Sequence, residues 1–350
     1  MQKKTILIVD DNAIDLKLIS HLLSVQFEPV KAGSGREALD YLAKHKPDLI
    51  LLDVEMPEMS GLETLDEIKK MPGVADIPVI FFTALDGNFN ELEGLEKGAV
   101  DYIAKPIIPE LLRHRIAFQL ELFDYRRHLE ELVDQRTGQV LRLETVLTHT
   151  LANIAETRDT DTGAHIKRTC LYVELIGRSA MTNPLFADKI DEQFLTALVA
   201  AAPLHDIGKV GIPDHILNKP GKLTDEEFSI MQQHVAIGEK ALRQAVEELN
   251  FKSYLDMALD VCATHHERWS GGGYLQGLSG EGIPLAGRIM SIADVYDALC
   301  AKRVYKDPMP HEKATDIIIQ GAGTQFDPNL IEIFKQENAK FAEINAKYRD

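Results

Sequence analysis

Short apolar runs alternate with amphipathic stretches over residues 5–105. The runs TILIVD, DLILLDV and IPVIFFTA have strand length and are rich in β-branched residues, whereas DLKLISHLL and GLETLDEIKK space their apolar residues as a helix does. This alternation is typical of βα units on a parallel sheet. The pattern therefore predicts a doubly wound α/β domain over residues 1–106.

The stretch from residue 107 to 156 is almost free of helix-breaking residues. Its apolar residues recur at alternating four- and three-residue steps, and the register resumes after a polar interruption. These seam residues are Phe118, Leu122, Tyr125, Leu129, Leu132, Leu143 and Val146. A seam of this kind either packs on its own domains or pairs with a second copy. The spacing favours a long coiled-coil-like helix that joins two domains and forms a parallel homodimer.

From residue 157 onward the periodicity is helical almost throughout, in segments such as EQFLTALVAAAPLH and AGRIMSIADVYDALCAKRVY. This predicts an all-α domain over residues 157–350. A chain of 350 residues also exceeds what one ordinary core accommodates, since domains usually have about 100 to 200 residues. We therefore expect a multidomain protein.

Composition and charge narrow the class of protein. The formal net charge of −17 opposes binding to DNA, and no basic helix-turn-helix follows the first domain. No stretch approaches the roughly 20 apolar residues of a membrane span, and the first residues lack the pattern of a signal peptide. The three cysteines stand far apart, as is typical of a reducing compartment. We expect a cytoplasmic protein without a membrane span.

Polar residues stand at the carboxyl ends of the predicted strands, and these ends share one crevice in a parallel sheet. They are Asp10, Asp11, Asp53, Thr83 and Lys105. A single aspartate at a strand end more often caps a helix or forms a turn, but capping alone does not account for all five. Three carboxylates suit Mg²⁺, and a lysine with a threonine suits the oxygens of a phosphoryl group.

This set resembles the receiver domain of two-component response regulators over about residues 4–125. The resemblance implies a flavodoxin-like fold and phosphorylation of Asp53 by a cognate histidine kinase. It assigns Mg²⁺ to Asp10, Asp11 and the backbone carbonyl of Glu55, and the phosphoryl group to Lys105.

The same resemblance makes Thr83 and Tyr102 the switch pair that reports phosphorylation. A new phosphoryl group would draw Thr83 towards it and reposition the surface around Tyr102 and the helix beyond. A receiver locked in one state stays an alternative.

The second domain concentrates histidine and aspartate in its helical segments. The candidate metal ligands are His165, His205, Asp206, His234, His265, His266 and Asp294. A lone histidine is more often an ordinary core or surface residue, but a buried cluster without metal would leave too many polar rings unsatisfied. Five imidazoles and two carboxylates suffice for two adjoining metals, an arrangement that suits phosphodiester hydrolysis. Mixed nitrogen and oxygen ligands favour iron or manganese over magnesium.

These residues lie in the segments DTDTGAH, HDIGKVGIPDHILNKPGKLTDEE, HVAIGEKAL, HHERWSGGGYLQGLSGEGIPLAGRIMSIADVYDAL and KRVYK. The segments resemble the HD-GYP branch of the HD phosphohydrolases over about residues 145–340, which implies hydrolysis of cyclic di-GMP. The resemblance assigns one metal to His165, His205, Asp206 and Asp294, and a second, bridged by Asp206, to His234, His265 and His266.

Further roles around the metals follow from the same resemblance. Asp161, one helical turn before His165, stands where some members carry a glutamate associated with a third metal, although an exposed acid at a helix start is equally expected there. Apart from the resemblance, Lys209 follows the His205-Asp206 pair by three residues, and an ammonium near metals is suited to bind or protonate the scissile phosphate. Arg303 and Lys306 resemble a phosphate clamp.

The chain departs from the family pattern in its name motif, which is Gly273-Tyr274-Leu275 with leucine in place of the usual proline. Ser270 also stands where an aspartate is common. Proline stiffens a loop, so we expect Leu275 to loosen this one and to alter its grip on a base or a partner. Gly273 and Tyr274 remain predicted substrate contacts.

The sequence thus predicts a phosphorylation-regulated, metal-dependent phosphodiesterase that hydrolyses cyclic di-GMP to pGpG, with further hydrolysis to GMP left open. The altered loop leaves a preference for pGpG or a mixed cyclic dinucleotide as one alternative. Another is a signalling scaffold that recruits diguanylate cyclases without turnover. Retention of all seven predicted ligands favours the enzyme.

Overall fold

The computed structural model describes residues 3–84, 91–158, 163–301 and 308–348. Packing divides the chain into two compact units: residues 1–137, here the N-terminal unit, and residues 138–350, here the C-terminal unit. The border between these units falls within one long helix. The domain limits inferred from the sequence, at 106/107 and 156/157, stay predictions.

The N-terminal unit is built on a sheet of five parallel strands. The strands are β1 (Thr5–Val9), β2 (Glu28–Ala32), β3 (Leu49–Asp53), β4 (Val79–Ala84) and β5 (Asp101–Lys105). The helices that follow them are α1 (Ala13–Leu23), α2 (Gly35–Leu42), α3 (Gly61–Lys70), α4 (Glu91–Glu96) and α5 (Pro109–Glu156). The strand order β2-β1-β3-β4-β5 confirms the predicted doubly wound, flavodoxin-like fold.

Side chains of the central strands alternate between two cores, one on each face of the sheet. Ile6 and Ile8 of β1 pack with residues of α1 and the start of α5, whereas Leu7 and Val9 pack with α2 and α3. Strand β3 is buried along its whole length, which explains its unbroken apolar run. The carboxyl ends of β1, β3 and β5 therefore meet at one edge of a fully covered sheet.

Helix α5 has 48 residues, as the absence of helix breakers predicted. Its first turns pack on the sheet through Leu112 and Ile116. The seven predicted seam residues are all exposed. The long helix is confirmed, and pairing of its seam with a second copy stays a prediction.

The regular elements of the C-terminal unit are helical over the residues that the structure describes, which confirms the predicted all-α class. The α-helices are α6 (Gly163–Met181), α7 (Glu192–Ala201), α8 (Asp214–Leu217), α9 (Asp225–Met231), α10 (Gln233–Leu249), α11 (Tyr254–Thr264), α12 (Leu285–Cys300), α13 (His311–Gln320) and α14 (Pro328–Lys347). Short 3₁₀ segments lie at Ala202–Leu204, Ile207–Gly211 and Gly280–Gly282.

Helix α12 is buried on nearly every side and packs against α6, α11 and α13. A helix in such a position is normally apolar all round, because a buried charge without a partner is costly. Asp294 and Asp297 break this rule on α12. Their presence in the core marks the part of the unit where polar chemistry is concentrated.

Candidate functional sites

An acidic cluster lies at the carboxyl edge of the N-terminal sheet. Asp10 directly follows β1, and Asp53 ends β3. Oxygen atoms of Asp10, Asp11 and Asp53 lie within 4.8 Å of one another, with Asp10 and Asp53 buried and Asp11 exposed. A cavity of about 380 Å³ adjoins them, and Glu55 is among its lining residues. Three carboxylate oxygens beside an open cavity are suited to a hard divalent cation that keeps part of its water.

Lys105, at the end of β5, holds this cluster together. Its Nζ lies 2.9 Å from Asp53 Oδ2, 3.0 Å from Asp10 Oδ2 and 3.1 Å from Asp15 Oδ2. Burial opposes the ammonium charge, but Asp53 and Asp10 raise the pKa of Lys105 overall. Burial also raises the pKa of Asp10, against the effect of its hydrogen bonds. Asp15, in the first turn of α1, was not predicted as part of the site.

The predicted switch pair lies on neighbouring strands. Thr83 is buried near the end of β4 and pairs with Ala104 of β5, whereas Tyr102, two residues before Ala104, pairs with Phe81. Arg115 of α5 donates to the Tyr102 carbonyl at 3.1 Å, and its guanidinium stands 6.0 Å from the Tyr102 ring. The first turns of α5 thus contact the strand that carries one member of the pair.

In the C-terminal unit, all seven predicted ligands converge in two groups. One group contains His165, His205 and Asp294, and the other contains Asp206, His234, His265 and His266. Within each group the candidate ligand atoms lie within 4.8 Å of one another. They come from α6, α10, α12, the end of α11 and the turn between two 3₁₀ segments, so only the folded unit brings them together.

Asp206 stands between the two groups. Its Oδ2 lies 3.3 Å from His205 Nε2, whereas its Oδ1 lies 3.1 Å from His234 Nε2 and 3.5 Å from His265 Nε2. Gly208 permits this placement, because a Cβ there would collide with the His234 carbonyl oxygen at the start of α10. One carboxylate therefore offers one oxygen to each group, as a bridging ligand must.

The imidazoles are oriented by bonds on the side away from the centre. Nδ1 of His205 donates to Ala202 O at 2.9 Å, and Nδ1 of His234 donates to Met231 O at 2.8 Å. Nδ1 of His265 contacts two backbone carbonyls of α11 at 3.1 Å. These bonds fix the tautomer that leaves the Nε2 lone pairs facing inward, an arrangement that is usual for metal-ligating histidines.

Buried atoms at the centre lack partners in a way that fits divalent cations. Nε2 of His205, His234 and His265 and Oδ1 of Asp206 are buried with no hydrogen-bond partner among the described residues. Such atoms are costly unless something satisfies them, and one cation in each ligand group would satisfy them. The donor set of imidazole nitrogen and carboxylate oxygen suits a transition metal.

The electrostatic surroundings of the two buried carboxylates also suit cation binding. Burial alone would raise the pKa of Asp206, but Lys209 and His205 hold it well below its usual value. Burial likewise opposes ionisation of Asp294, yet His205 and His165 lower its pKa to about 2. Both carboxylates are therefore charged at neutral pH, as ligands must be.

Two families match the chain. The HD domain family matches residues 127–330, and the response regulator receiver domain family matches residues 6–117. A probable cyclic di-GMP phosphodiesterase of Vibrio cholerae is 43% identical over 99% of this chain and 80% of that protein. The cyclic di-GMP phosphodiesterase response regulator RpfG of Xanthomonas campestris is 33% identical over 98% and 90%, respectively. The chain belongs to the HD-domain response regulators.

A third relative of this HD-domain response regulator carries a different substrate in its name. The 3′3′-cGAMP-specific phosphodiesterase 2 of Vibrio cholerae is 38% identical over 67% of this chain and 44% of that protein. HD domains bind divalent metal ions, and the two ligand groups provide positions for them. Over the described parts of the chain, the helices lack the length and apolar composition needed to cross a membrane.

A polar network behind His165 was not predicted. His165 Nδ1 donates to Asp297 Oδ2 at 2.7 Å, and Arg168 makes two bonds to the same carboxylate at 2.7 and 2.9 Å. Burial opposes protonation of His165, but the bond to Asp297 raises its pKa to about 9, so a metal at Nε2 must displace a proton. Asp297 and Arg168 each follow a predicted ligand by three residues, which is the spacing of one helix face.

The loop that carries the altered motif is tied to the histidine pair through Glu267. Glu267 Oε1 accepts from Gln276 N at 2.8 Å and from Leu275 N at 3.3 Å, a donor that proline would lack. The ring of Tyr274 lies 4.4 Å from that of His266. Tyr274 thus stands at the rim of the centre, and the predicted loosening by Leu275 stays a prediction.

Glu156, the last residue of α5, was also missed. It is 3% exposed, and its Oε1 lies 3.7 Å from His165 Nε2. Burial raises the pKa of Glu156 to about 7, although the neighbouring His165 opposes the shift. Nothing in the sequence pattern separates Glu156 from the other acidic residues of the linker helix.

Three predicted residues, Asp161, Arg303 and Lys306, lie outside the described residues. The third metal and the phosphate clamp therefore stay predictions. Lys209 is described, and its Nζ lies 2.9 Å from Asp206 Oδ2 beside both metal groups.

Proposed function

We propose that this HD-domain response regulator hydrolyses cyclic di-GMP to pGpG at the His/Asp centre under the control of Asp53 phosphorylation. The observation that carries the proposal is Asp206, whose two oxygens face the two ligand groups at 3.1 to 3.5 Å. The printed names of the relatives from Vibrio cholerae and Xanthomonas campestris support the substrate.

The ligand set supports two divalent cations, and its mixed nitrogen and oxygen donors favour iron or manganese. When bound, such a pair lowers the pKa of a water and neutralises charge on the phosphate oxygens. Asp206 holds the two positions in register, while the backbone-anchored imidazoles keep their nitrogens aimed inward. This rigidity suits a reaction that depends on placing water and phosphate with little reorganisation.

Hydrolysis adds the oxygen of water to phosphorus and breaks the bond to a ribose oxygen, which must receive a proton. Lys209 is suited to supply that proton or to bind the phosphate, since its ammonium lies at the centre with only part of its surface exposed. The ring of Tyr274 at the rim is suited to stack on a guanine base. Gly273 packs so closely on Glu267 that no larger residue fits there.

The N-terminal unit supports control of this hydrolysis by phosphorylation. Asp53 is the phosphoacceptor, Asp10 and Asp11 hold Mg²⁺ with the Glu55 carbonyl, and a cognate histidine kinase supplies the phosphoryl group. Lys105 already lies 2.9 Å from Asp53 and would move with the phosphoryl charge. The exposed seam of α5 supports a homodimer, and we expect the protein in the cytoplasm.

Two other functions are tested by the turnover experiment described below. The relative named for 3′3′-cGAMP favours a mixed cyclic dinucleotide as a second substrate. A scaffold for diguanylate cyclases would need the loop around Tyr274 but not the metals. The buried imidazole nitrogens that lack partners in the described parts of the chain disfavour it.

The test is turnover by the full chain loaded anaerobically with Fe²⁺ or Mn²⁺, with cyclic di-GMP, pGpG and 3′3′-cGAMP as separate substrates and products resolved by chromatography. We expect pGpG from cyclic di-GMP and no product from the variant with both His205→Ala and Asp206→Ala. Metal-loaded protein that cleaves none of the three would overturn the proposal in favour of the scaffold. Turnover that is the same with Asp53→Asn and with Asp53 phosphorylated would refute the regulatory part.

A further inference from the structure

The end of helix α5 brings a buried carboxylate to the metal centre. Glu156 is 3% exposed, whereas Glu144, three turns earlier on the same helix, faces solvent. Ala152 and Ala155 beside it are buried as well, so the last turn of α5 is part of the C-terminal core. A glutamate is rarely buried so completely unless a charge or a hydrogen-bond donor compensates it.

Glu156 lies as close to one predicted ligand, His165, as the ligands of that group lie to one another. Its Oε1 lies 3.7 Å from His165 Nε2. The corresponding separations among the ligands of that group are 3.8 Å for His165 Nε2 to Asp294 Oδ1 and 3.7 Å for His205 Nε2 to the same oxygen. Glu156 therefore stands at the His165 edge of the group at the distance that separates neighbouring ligands.

The chain compensates this buried carboxylate only in part. Glu156 Oε2 is buried without a hydrogen-bond partner among the described residues, as are the inward-facing atoms of His205, His234 and His265. The other nitrogen of His165 is already bonded to Asp297 at 2.7 Å, so that ring does not compensate Glu156 fully. A cation beside His165 Nε2 would compensate both groups at once.

We propose that Glu156 is a further carboxylate of the metal centre, acting from the His165 edge on the cation held by His165, His205 and Asp294. The centre then takes one acidic group from α5, the helix that begins directly after the sheet of the N-terminal unit. The inference rests on the metal centre of the proposed function and is independent of which dinucleotide is cleaved.

The test compares Glu156→Gln with Glu144→Gln, a change of the same type at an exposed position of the same helix. Mn²⁺ content per chain and affinity would be measured by competition with a chelator, without any substrate. We expect Glu156→Gln to weaken one class of site by about 10- to 100-fold, as loss of groups around a metal commonly does. Glu144→Gln should bind as the unaltered chain does, and His165→Ala should weaken the same class as Glu156→Gln.

The thermal midpoint of the metal-free protein separates this role from a structural one. A carboxylate that serves the metal leaves the metal-free midpoint unchanged or higher when replaced, and only the metal-induced rise shrinks. Unchanged Mn²⁺ affinity in a folded Glu156→Gln chain would overturn the inference. If that variant does not fold, Glu156→Asp keeps the charge but shortens its reach, and unchanged affinity there would overturn the inference equally.

The outcomes also distinguish this inference from the proposed function. Weakened Mn²⁺ binding in Glu156→Gln together with no cleavage of any dinucleotide would support the role of Glu156 at the metal centre and contradict the proposed phosphodiesterase activity. Cleavage of cyclic di-GMP with unaltered metal binding in Glu156→Gln would do the reverse.

Discussion

The acidic cluster of the N-terminal unit and the metal centre of the C-terminal unit both concentrate buried polar groups. They differ in how those groups are compensated. In the acidic cluster, Lys105 lies about 3 Å from three carboxylates, so the chain itself already compensates part of their charge. In the metal centre, three imidazole nitrogens and a carboxylate oxygen are buried without hydrogen-bond partners among the residues that the structure describes. We therefore expect the acidic cluster to bind and release its ion reversibly, and the metal centre to need cations to satisfy its buried atoms.

This difference matches what each site must do. A phosphorylation site has to exchange Mg²⁺ and a phosphoryl group, and an internal lysine keeps the empty state stable. A hydrolytic centre needs its groups fixed before substrate arrives, since preorganised charges lower the barrier most. Burial and backbone anchors supply that fixity at His205 and His234.

Removing metal from the full chain should separate the two sites most strongly. We expect EDTA to reduce turnover by at least about a thousandfold, because metal ions contribute several kcal/mol to the barrier. Amide exchange should rise in α6, α10 and α12, since cations at a hundred times their Kd stabilise a fold by about 2.7 kcal/mol. Hydrogen exchange followed by mass spectrometry measures this helix by helix.

Strands β1 and β3 serve as the internal control for metal removal. Lys105 binds the carboxylates at their ends in the absence of any ion, so amide exchange in these strands should stay constant with EDTA. Added Mn²⁺ should restore both turnover and protection in the helices. An equal rise of exchange in the strands and the helices would refute the contrast between the two sites.

Asp297→Asn tests how far the metal centre depends on the polar network behind it. The change removes the charge that His165 and Arg168 share, so His165 loses its strongest anchor and Arg168 keeps a buried charge. We expect Mn²⁺ affinity to fall by about 10- to 100-fold. Chelator competition measures the loss, with the exposed Asp188→Asn as control. Unaltered Mn²⁺ affinity would show that packing alone holds the His165 ring in place.

Lys105→Met tests the compensated site. Loss of the ammonium leaves Asp10, Asp15 and Asp53 without their shared cation, so Mg²⁺ should bind about tenfold more tightly, or by about 1.4 kcal/mol after solvent screening. Calorimetric titration of chain whose metal centre is already filled measures this. Lys97→Met, which breaks the pair with Asp66 in the same unit, should leave Mg²⁺ binding as it was. Weaker binding in Lys105→Met would mean that Lys105 organises the site instead of competing for it.

The contrast also explains what the sequence could and could not predict. Strand ends and histidine motifs are local patterns, so the sheet followed from periodicity, and the candidate ligands followed from the concentration of His and Asp together with the family resemblance. Asp15, Asp297 and Glu156 act through contacts between elements far apart in the chain, and charged residues in helices are usually solvated. Burial decides their role, and burial follows from packing that no local pattern records.

Leu275→Pro carries the smallest expected effect and tests whether the preformed geometry of the centre extends to its rim. The change removes the N–H that Leu275 donates to Glu267 at 3.3 Å, but the shorter bond from Gln276 N at 2.8 Å remains. A long hydrogen bond contributes less than about 1 kcal/mol, and the stiffer backbone of proline offsets part of it. Affinity for a phosphorothioate analogue of cyclic di-GMP, measured by calorimetry, should therefore change by no more than about threefold, or about 0.7 kcal/mol. Leu275→Ala keeps the N–H and is the matched control. If Leu275→Pro alone binds the analogue tenfold or more tightly, the loop is loose in the unaltered chain. The rigid part of the centre would then extend to Glu267 but not to the loop after it.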